Sequence, residues 1–545
     1  MESITVVLLL LVAVIVSGIV SRIVPLPLPR PLFQIALGAA IGMIGDWRVE
    51  LDPEIFFLLF LPPLLFLDGW RIPREELFKD GKTVLELALG LVVFTVIGMG
   101  FLINWMIPSM PLAVAFALAA VVSPTDPIAV SAIARRVPIP KRMMHILEGE
   151  SLLNDASGLV CFRFAVAAAV TGSFSLGAAS LTLVWVTLAG LGVGVGVTLG
   201  TSYMQSGLSR LFGEESGSPI LINLLTPFAA YLIAEHLAAS GILAAVAAGV
   251  TMSYVELTGR ALATTRVQRA AVWETVQFSL NGIMFVLLGE QLPGILRRAA
   301  TTVEETGHLS SWWLLGYVLV IGAILILLRF GWVWTAWRFD AALARRRGEP
   351  ARQPGWRIIA AMSVAGVRGA VTLAGVLTLP LLLPDGTGFP ARDLVVFLAA
   401  AVILLSLLLA SVALPRLLRG LTLPDEPADR RAEDRARHAA AVAAVEAVEA
   451  ARHALSAERA ADADLYTNAA VRVMADYRPR VEDITPGSVA AETLRRADRA
   501  EMALRLTALQ AEREAVFRLA RTGEISDEIS RKLVRQIDLM EARYR

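Results

Sequence analysis

Residues Ala113 to Val130 read AVAFALAAVVSPTDPIAV. The apolar run from Ala113 to Val122 has the composition of a membrane-spanning helix. It then meets Ser123-Pro124-Thr125-Asp126-Pro127. Proline lacks the backbone N–H and its ring clashes with the carbonyl one turn back, so Pro124 and Pro127 do not sit quietly in a helix interior. The stretch reads as a helix that starts across a membrane and breaks at an acid. An ionisable residue at that depth is costly, and where one persists it marks an ion path or a proton relay.

The rest of the chain supports the membrane setting. Of 545 residues, 56% are hydrophobic and 18% charged, and the mean hydropathy is +0.63. Soluble domains rarely reach that value, so the fold class is an all-α polytopic membrane protein in a lipid bilayer. A formal net charge of +1 offers no electrostatic case for nucleic acid. The single cysteine, Cys161, permits no internal disulfide and no thiolate metal cluster. Met1-Glu2-Ser3 lacks the basic region of a cleaved signal, and the apolar run Ile4 to Val20 is long enough to span.

About thirteen spans can be drawn if a helix needs roughly 20 residues to cross. They lie near 4–23, 31–45, 52–69, 84–107, 111–134, 146–171, 176–203, 219–237, 239–255, 270–295, 312–337, 357–384 and 392–416. With the C-terminal tail inside, the loops on that side hold about twenty Lys and Arg, including Arg74, Lys79, Arg135, Arg136, Arg260 and Arg347. The opposite loops hold only Arg48, Arg297, Arg298 and Arg392. That bias puts the N-terminus outside and the tail in the cytoplasm. From about Leu423 charges crowd in and the chain becomes rich in Ala, Arg and Glu. Residues 1–420 are therefore read as a transmembrane domain and 421–545 as a cytosolic helical tail. Breaks are expected at Pro479 and Pro486, and Gly523 before Ser526-Asp527-Glu528 signals a helix stop and a new N-cap. The tail is a solvated appendage, or serves regulation or dimer support.

A second polar motif, EGESLLND, runs from Glu148 to Asp155. Spacings of four and five put Glu150, Asn154 and Asp155 near one side of a helix, with Ser151, Ser157 and Gly158 nearby. A polar face on an apolar helix points into a bundle or a cavity. Polar glue between helices is the alternative. The two prolines of the first motif release backbone carbonyls, and with Thr125 these are hard oxygen ligands of the kind a hard cation prefers. A broken helix carrying an acid beside a second acid-bearing helix is how many secondary transporters build a cation site.

Two basic residues lie where lipid disfavours them: Arg329 in ILILLRFGW and Arg368 in VAGVRGAVTLAG, the latter between Gly366 and Gly369. A permanently charged guanidinium at that depth needs a buried carboxylate or a helix C-terminus, and Glu150 and Asp126 are the available acids. Snorkelling to the inner surface is the alternative for Arg329. Asp68, in LPPLLFLDGW, lines an entrance funnel or caps its helix.

Five stretches together resemble the bacterial monovalent cation/proton antiporters, the sodium/proton exchangers of the NhaP and eukaryotic exchanger type. They are FLPPLLFLDGWRIP from Phe60, AVAFALAAVVSPTDPIAV, ILEGESLLNDASGLV from Ile146, PFAAYLIAEHLAASGILAAVAAG from Pro227 and AGVRGAVTLAGVLTLPLLLPDG from Ala365. The similarity runs from about residue 1 to 420. It implies thirteen helices in two inverted repeats, a core and a dimer domain, and two broken helices that cross in the core. It also implies a homodimer in the bacterial plasma (inner) membrane that works in pH and sodium homeostasis. Asp155 is then the ion- and proton-binding carboxylate, with Asn154, Thr125, Asp126 and Ser151 shaping the site. The implied sodium position is at Asp155, Thr125 and Asp126. Glu150 and Arg329 look like the family's buried ion pair, and Arg368 like the basic residue of the second crossing. Asp68 falls near the acid of the adjacent helix. Relatives with Asn before the Asp are regarded as electroneutral, so Asn154 implies one cation per proton.

Such a mechanism needs no cofactor: a proton and a cation, sodium and possibly lithium, compete for one buried carboxylate, and alternating access moves it between the two sides. Potassium is the rival cation within the class. The chain carries no HExxH zinc motif and no GxGD motif, which argues against a membrane enzyme. A channel remains the other rival, separable by strictly counter-coupled flux.

Overall fold

A computed structural model describes residues 2–24, 28–44, 53–71, 81–126, 130–131, 139, 141–172, 176–212, 217–257, 263–305, 312–346, 355–383, 385–419, 427–458, 463–475, 477, 489–522 and 524–544. Pro127, the loop residues Arg48, Arg74, Lys79, Arg135, Arg136, Arg260 and Arg347, and the tail positions Pro479, Pro486 and Gly523 lie outside the described residues. The chain divides into two compact units, Met1–Leu421 and Thr422–Arg545.

Among its described residues the first unit is mainly helical, as its apolar runs require: backbone groups in lipid must be satisfied within their own segment. In chain order it contains α1 (Glu2–Ile23), α2 (Arg30–Ile44), α3 (Pro53–Arg71) and α4 (Gly81–Leu85). α4 continues through a π turn, Glu86–Leu91, into α5 (Val92–Met106). Next come α6 (Leu112–Val122), α7 (Lys141–Thr171), α8 (Leu176–Phe212), α9 (Gly217–His236), α10 (Gly241–Glu256) and α11 (Ala263–Glu305). α12 (Trp312–Arg346), α13 (Trp356–Val364), α14 (Ala370–Leu377) and α15 (Arg392–Leu418) complete it. Eight of the described helices are long and apolar enough to cross a membrane, and α2, α6 and α10 are shorter apolar helices. Each stretch drawn as a span carries helix, but the lengths differ from expectation. α8 has 37 residues and α11 has 43, because their polar ends continue the helix beyond the apolar segment.

Most helix packing falls in two groups. α1, α2, α3, α8, α9, α10 and α11 lie against one another, and so do the π turn, α5, α6, α7 and α12 to α15, with α11 also packed on α15 across the divide. Small residues set the closest approaches. A Cβ at Gly69 of α3 would run into the Val246 carbonyl, and one at Gly249 of α10 into the Phe66 carbonyl. Without a hydrophobic drive between helices in lipid, such close backbone contact is a main source of association. It also fixes the end of α3 that carries Asp68. On the connection from α14 to α15, Asp385 accepts from the Thr387 hydroxyl at 2.6 Å and its amide at 2.9 Å, which holds its carboxyl below the usual range.

The second unit comprises α16 (Pro427–Glu458), α17 (Ala463–Ala475), α18 (Val489–Arg521) and α19 (Asp527–Tyr544). α18 and α19 form a hairpin around Leu509, Val516 and Ile537. Arg513 of α18 pairs with Asp538 and Glu541 of α19. The expected new cap is present: the Ile529 amide donates to the Ser526 hydroxyl at 3.3 Å.

Candidate functional site

Two helix breaks meet in the first unit. α6 ends at Val122 and residues 124–126 are non-helical; α13 ends at Val364 and residues 366–369 are unwound before α14. In a continuous helix the Asp126 amide would donate to the Val122 carbonyl one turn back. Here it donates to the Val367 carbonyl in the other break, at 2.7 Å. The vacated Val122 carbonyl accepts from Nε of Arg368 at 2.7 Å, and the same guanidinium donates to the Gly366 carbonyl. The Arg368 amide donates to the Ser406 hydroxyl at 3.0 Å. Of the two partner types expected for Arg368, it takes the helix end, where the dipole favours a cation. Gly369 is required by crowding, because a Cβ there would overlap the Asp126 carboxylate.

α7 brings its polar face to this crossing. Glu150 is 1% exposed and Arg329, on α12, is 2% exposed, so Arg329 does not snorkel. Both terminal nitrogens of Arg329 bind the Glu150 carboxylate, one at 2.6 Å. Its Nε donates to the Met362 carbonyl at 2.9 Å. The Thr125 hydroxyl donates to Glu150 at 3.2 Å, and the Asn154 amide donates to Thr125 at 2.9 Å and to Glu150 at 3.3 Å. Glu150 thus accepts from three residues on three elements, and its charge is consumed by the scaffold. The network ties α12, α7 and the first break into one body.

Asp155 differs. It is 6% exposed, and among the described residues no side chain hydrogen-bonds or ion-pairs with its carboxylate. The groups that act on it electrostatically are Asp126 and Asp68, both acids. Buried side-chain oxygens without hydrogen-bond partners among the described residues also occur at Asn154 Oδ1 and Ser123 Oγ. Asp68, half-buried on α3, faces Asp126, Arg71 and Glu148 electrostatically. Ser151 is buried but makes no bond into the Thr125–Glu150–Asn154 network. A buried acid on which two further acids act attracts a small cation or a proton.

Some participants carried no sequence signal. Ser157 donates to the Ala88 carbonyl at 2.6 Å, inside the π turn. Such a turn shifts the backbone bonding register, and nothing in Glu86–Leu91 announces it. Met362 and Val122 contribute only carbonyls, and any residue supplies one.

A helical membrane unit with two crossed breaks beside a buried, uncommitted carboxylate has the architecture of a secondary ion transporter. More narrowly, the chain belongs to the transmembrane sodium/hydrogen exchanger family, whose profile matches residues 7–420. It is 43% identical over 519 residues to a protein of Escherichia coli named uncharacterized Na(+)/H(+) exchanger YjcE, covering 94% of this chain and 93% of that one. It is 38% identical over 515 residues to a protein of Bacillus subtilis named a sodium, potassium, lithium and rubidium/H(+) antiporter, covering 94% of this chain and 74% of that one. The fold is similar to the sodium proton antiporter MjNhaP1 from Methanocaldococcus jannaschii, with TM-score 0.55, 18% identity, and coverage of 77% of this chain and 99% of that one.

Proposed function

We propose that this protein exchanges a monovalent cation, sodium foremost, for a proton at Asp155, one for one. The observation that carries this reading is the contrast between two carboxylates on one helix. Glu150 is neutralised by Arg329, whereas Asp155 has no such partner among the described residues. A buried charge without a partner is unfavourable unless something neutralises it. A proton or a cation does so, each excluding the other, and that exclusion couples the two fluxes.

Asn154, Thr125 and Asp126 hold the oxygens around that position, Ser151 lies next to it, and Asp68 guides cations toward it. Glu150–Arg329 and Arg368 keep the two breaks in place. The group containing the breaks moves against the other, as a homodimer in a bacterial inner membrane, with residues 421–545 as a cytosolic tail. The positive-inside bias supports an outer N-terminus. The B. subtilis relative's name covers four cations, so the ion series belongs in the test.

The purified full chain in liposomes, with a pH-sensitive dye inside and an imposed proton gradient, is challenged with sodium, lithium, potassium or rubidium under voltage clamp. Cation-driven alkalinisation, lost in Asp155→Asn, is expected. Exchange that persists in Asp155→Asn would overturn the assignment, and a signal that vanishes under the clamp would overturn the one-for-one ratio.

A further inference from the structure

Behind the carboxylate of α7 lies the π turn. Ser157 is two positions past Asp155, about 200° around the helix axis, so the two side chains leave α7 on nearly opposite sides. Serines in helices commonly return the hydroxyl to a carbonyl one turn back in their own helix. Ser17, Ser253, Ser363 and Ser411 do so here. Ser157 lies 3.1 Å from the corresponding carbonyl, on Asn154, but its shorter bond, at 2.6 Å, crosses to Ala88. A hydroxyl has one proton to give, and the shorter bond takes it.

The π turn makes that acceptor available. In a regular α-helix the Val92 amide would donate to the Ala88 carbonyl, four residues back. Here it donates to Leu89, and π turns of this kind recur at functional sites. α12 in turn holds the π turn. A Cβ at Gly90 would run into the Trp332 ring, and Trp332 packs on Phe94 with centroids 5.4 Å apart. Trp332 is three residues beyond Arg329, whose guanidinium binds Glu150 of α7. α7, the π turn and α12 therefore close a triangle. Asp155 and Gly158, three apart, share a side of α7, and a Cβ at Gly158 would run into the Pro124 ring of the first break.

We propose that Ser157 is a positioning residue of the exchange site: its bond to the π turn fixes the rotation of α7 and so places the Asp155 carboxylate against the first break. The proposal rests on the reading of Asp155 as the exchanging carboxylate. Thr125 and Asp126 are set by their own bonds, to Glu150 and to Val367. Asp155 has no side-chain partner among the described residues, so its position follows the helix that bears it. Asn154 ties that turn to Thr125 at 2.9 Å, and the Ser157 bond ties it to a second element.

The test uses the full chain at alkaline pH, where protons compete least. Sodium binding is read from the sodium concentration that raises the thermal unfolding midpoint, and exchange in liposomes from the apparent KM and the maximal rate. In Ser157→Ala the loss of one hydrogen bond is expected to raise the half-saturating sodium concentration and the KM about fivefold. The maximal rate should change much less. Ser157→Thr, which keeps the hydroxyl, should return both values toward the native ones. Gly90→Ala, which displaces the π turn from Trp332 without touching α7, should shift the sodium dependence in the same direction. A native sodium dependence in Ser157→Ala or in Gly90→Ala would overturn the proposal by making the bond structural only. A shift that Ser157→Thr leaves unchanged would overturn it by assigning the effect to packing. Asp155→Asn, run alongside, separates the two readings. Exchange that persists there sinks the exchange assignment, whereas exchange lost there with a native Ser157→Ala sinks the positioning role alone.

Discussion

The Asp126 amide and the Val367 carbonyl are joined at 2.7 Å, across the two helix breaks. That bond replaces the one Asp126 would make within its own helix, and the carbonyl it leaves behind is taken by Arg368. The two breaks are therefore one unit: neither segment satisfies its backbone without the other. Such irregular backbone is tolerated at membrane depth only where it is buried in protein or lines a cavity. It also sets the position of Asp126, whose charge acts on Asp155.

Gly369→Ala tests that unit. The new methyl group would overlap the Asp126 carboxylate, so either the acid or the second break must shift. Overpacking of this kind costs about 1–3 kcal/mol. The expected outcome is a folded protein whose exchange rate in liposomes falls at least as far as in Asp126→Asn. Unchanged exchange would show that the Asp126 position is immaterial.

Arg329→Leu leaves Glu150 buried without its cation. Breaking a buried pair from one side costs about 3–5 kcal/mol, whereas replacing both partners by apolar groups is often near neutral. The thermal midpoint should drop sharply in Arg329→Leu and recover in part in R329L/E150M. Recovery of stability without recovery of exchange is expected, since Thr125 and Asn154 also bind Glu150.

Competition at a single carboxylate makes cation affinity depend on pH with a definite sign. Protons occupy Asp155 as pH falls, so the apparent KM for sodium should rise on the acid side, by about tenfold per pH unit at the limit. The maximal rate should change much less. A KM that is flat from acid to alkaline pH would mean that proton and cation bind at different groups.

Two ion pairs join the helix groups. Arg163 on α7 meets Glu235 on α9 at 3.0 Å, and Arg298 on α11 meets Asp393 on α15 at 3.2 Å. All four side chains are a third or more exposed, so each pair contributes about 0–1 kcal/mol. E235Q/D393N should leave the midpoint nearly unchanged but alter the exchange rate by less than about tenfold, through the relative motion of the groups. The charge-swapped variant R163E/E235R should restore the native rate if only the pair matters.

Much of the fold and of the candidate site was legible in the sequence, because lipid makes polar residues conspicuous. Asp126, Glu150, Asp155, Arg329 and Arg368 stand out against an apolar background, and each carries a cost that demands an explanation. The two prolines around Asp126 marked the first break, and Gly366 and Gly369 marked the second. The sequence alone thus determined which residues must find partners and where the helices must open. It did not determine the pairing. Arg329 and Glu150 are 179 positions apart and Arg368 and Val122 are 246 apart, and which charge meets which group follows from how the helices pack. That Glu150 rather than Asp155 pairs with the buried arginine was implied only by the family resemblance, since the residues by themselves offered Arg329 both Glu150 and Asp126 as acids. The exchange of backbone bonds between Asp126, Val367 and Arg368 was decided by tertiary structure, because a carbonyl has no side-chain signature and its availability depends on which donor arrives first.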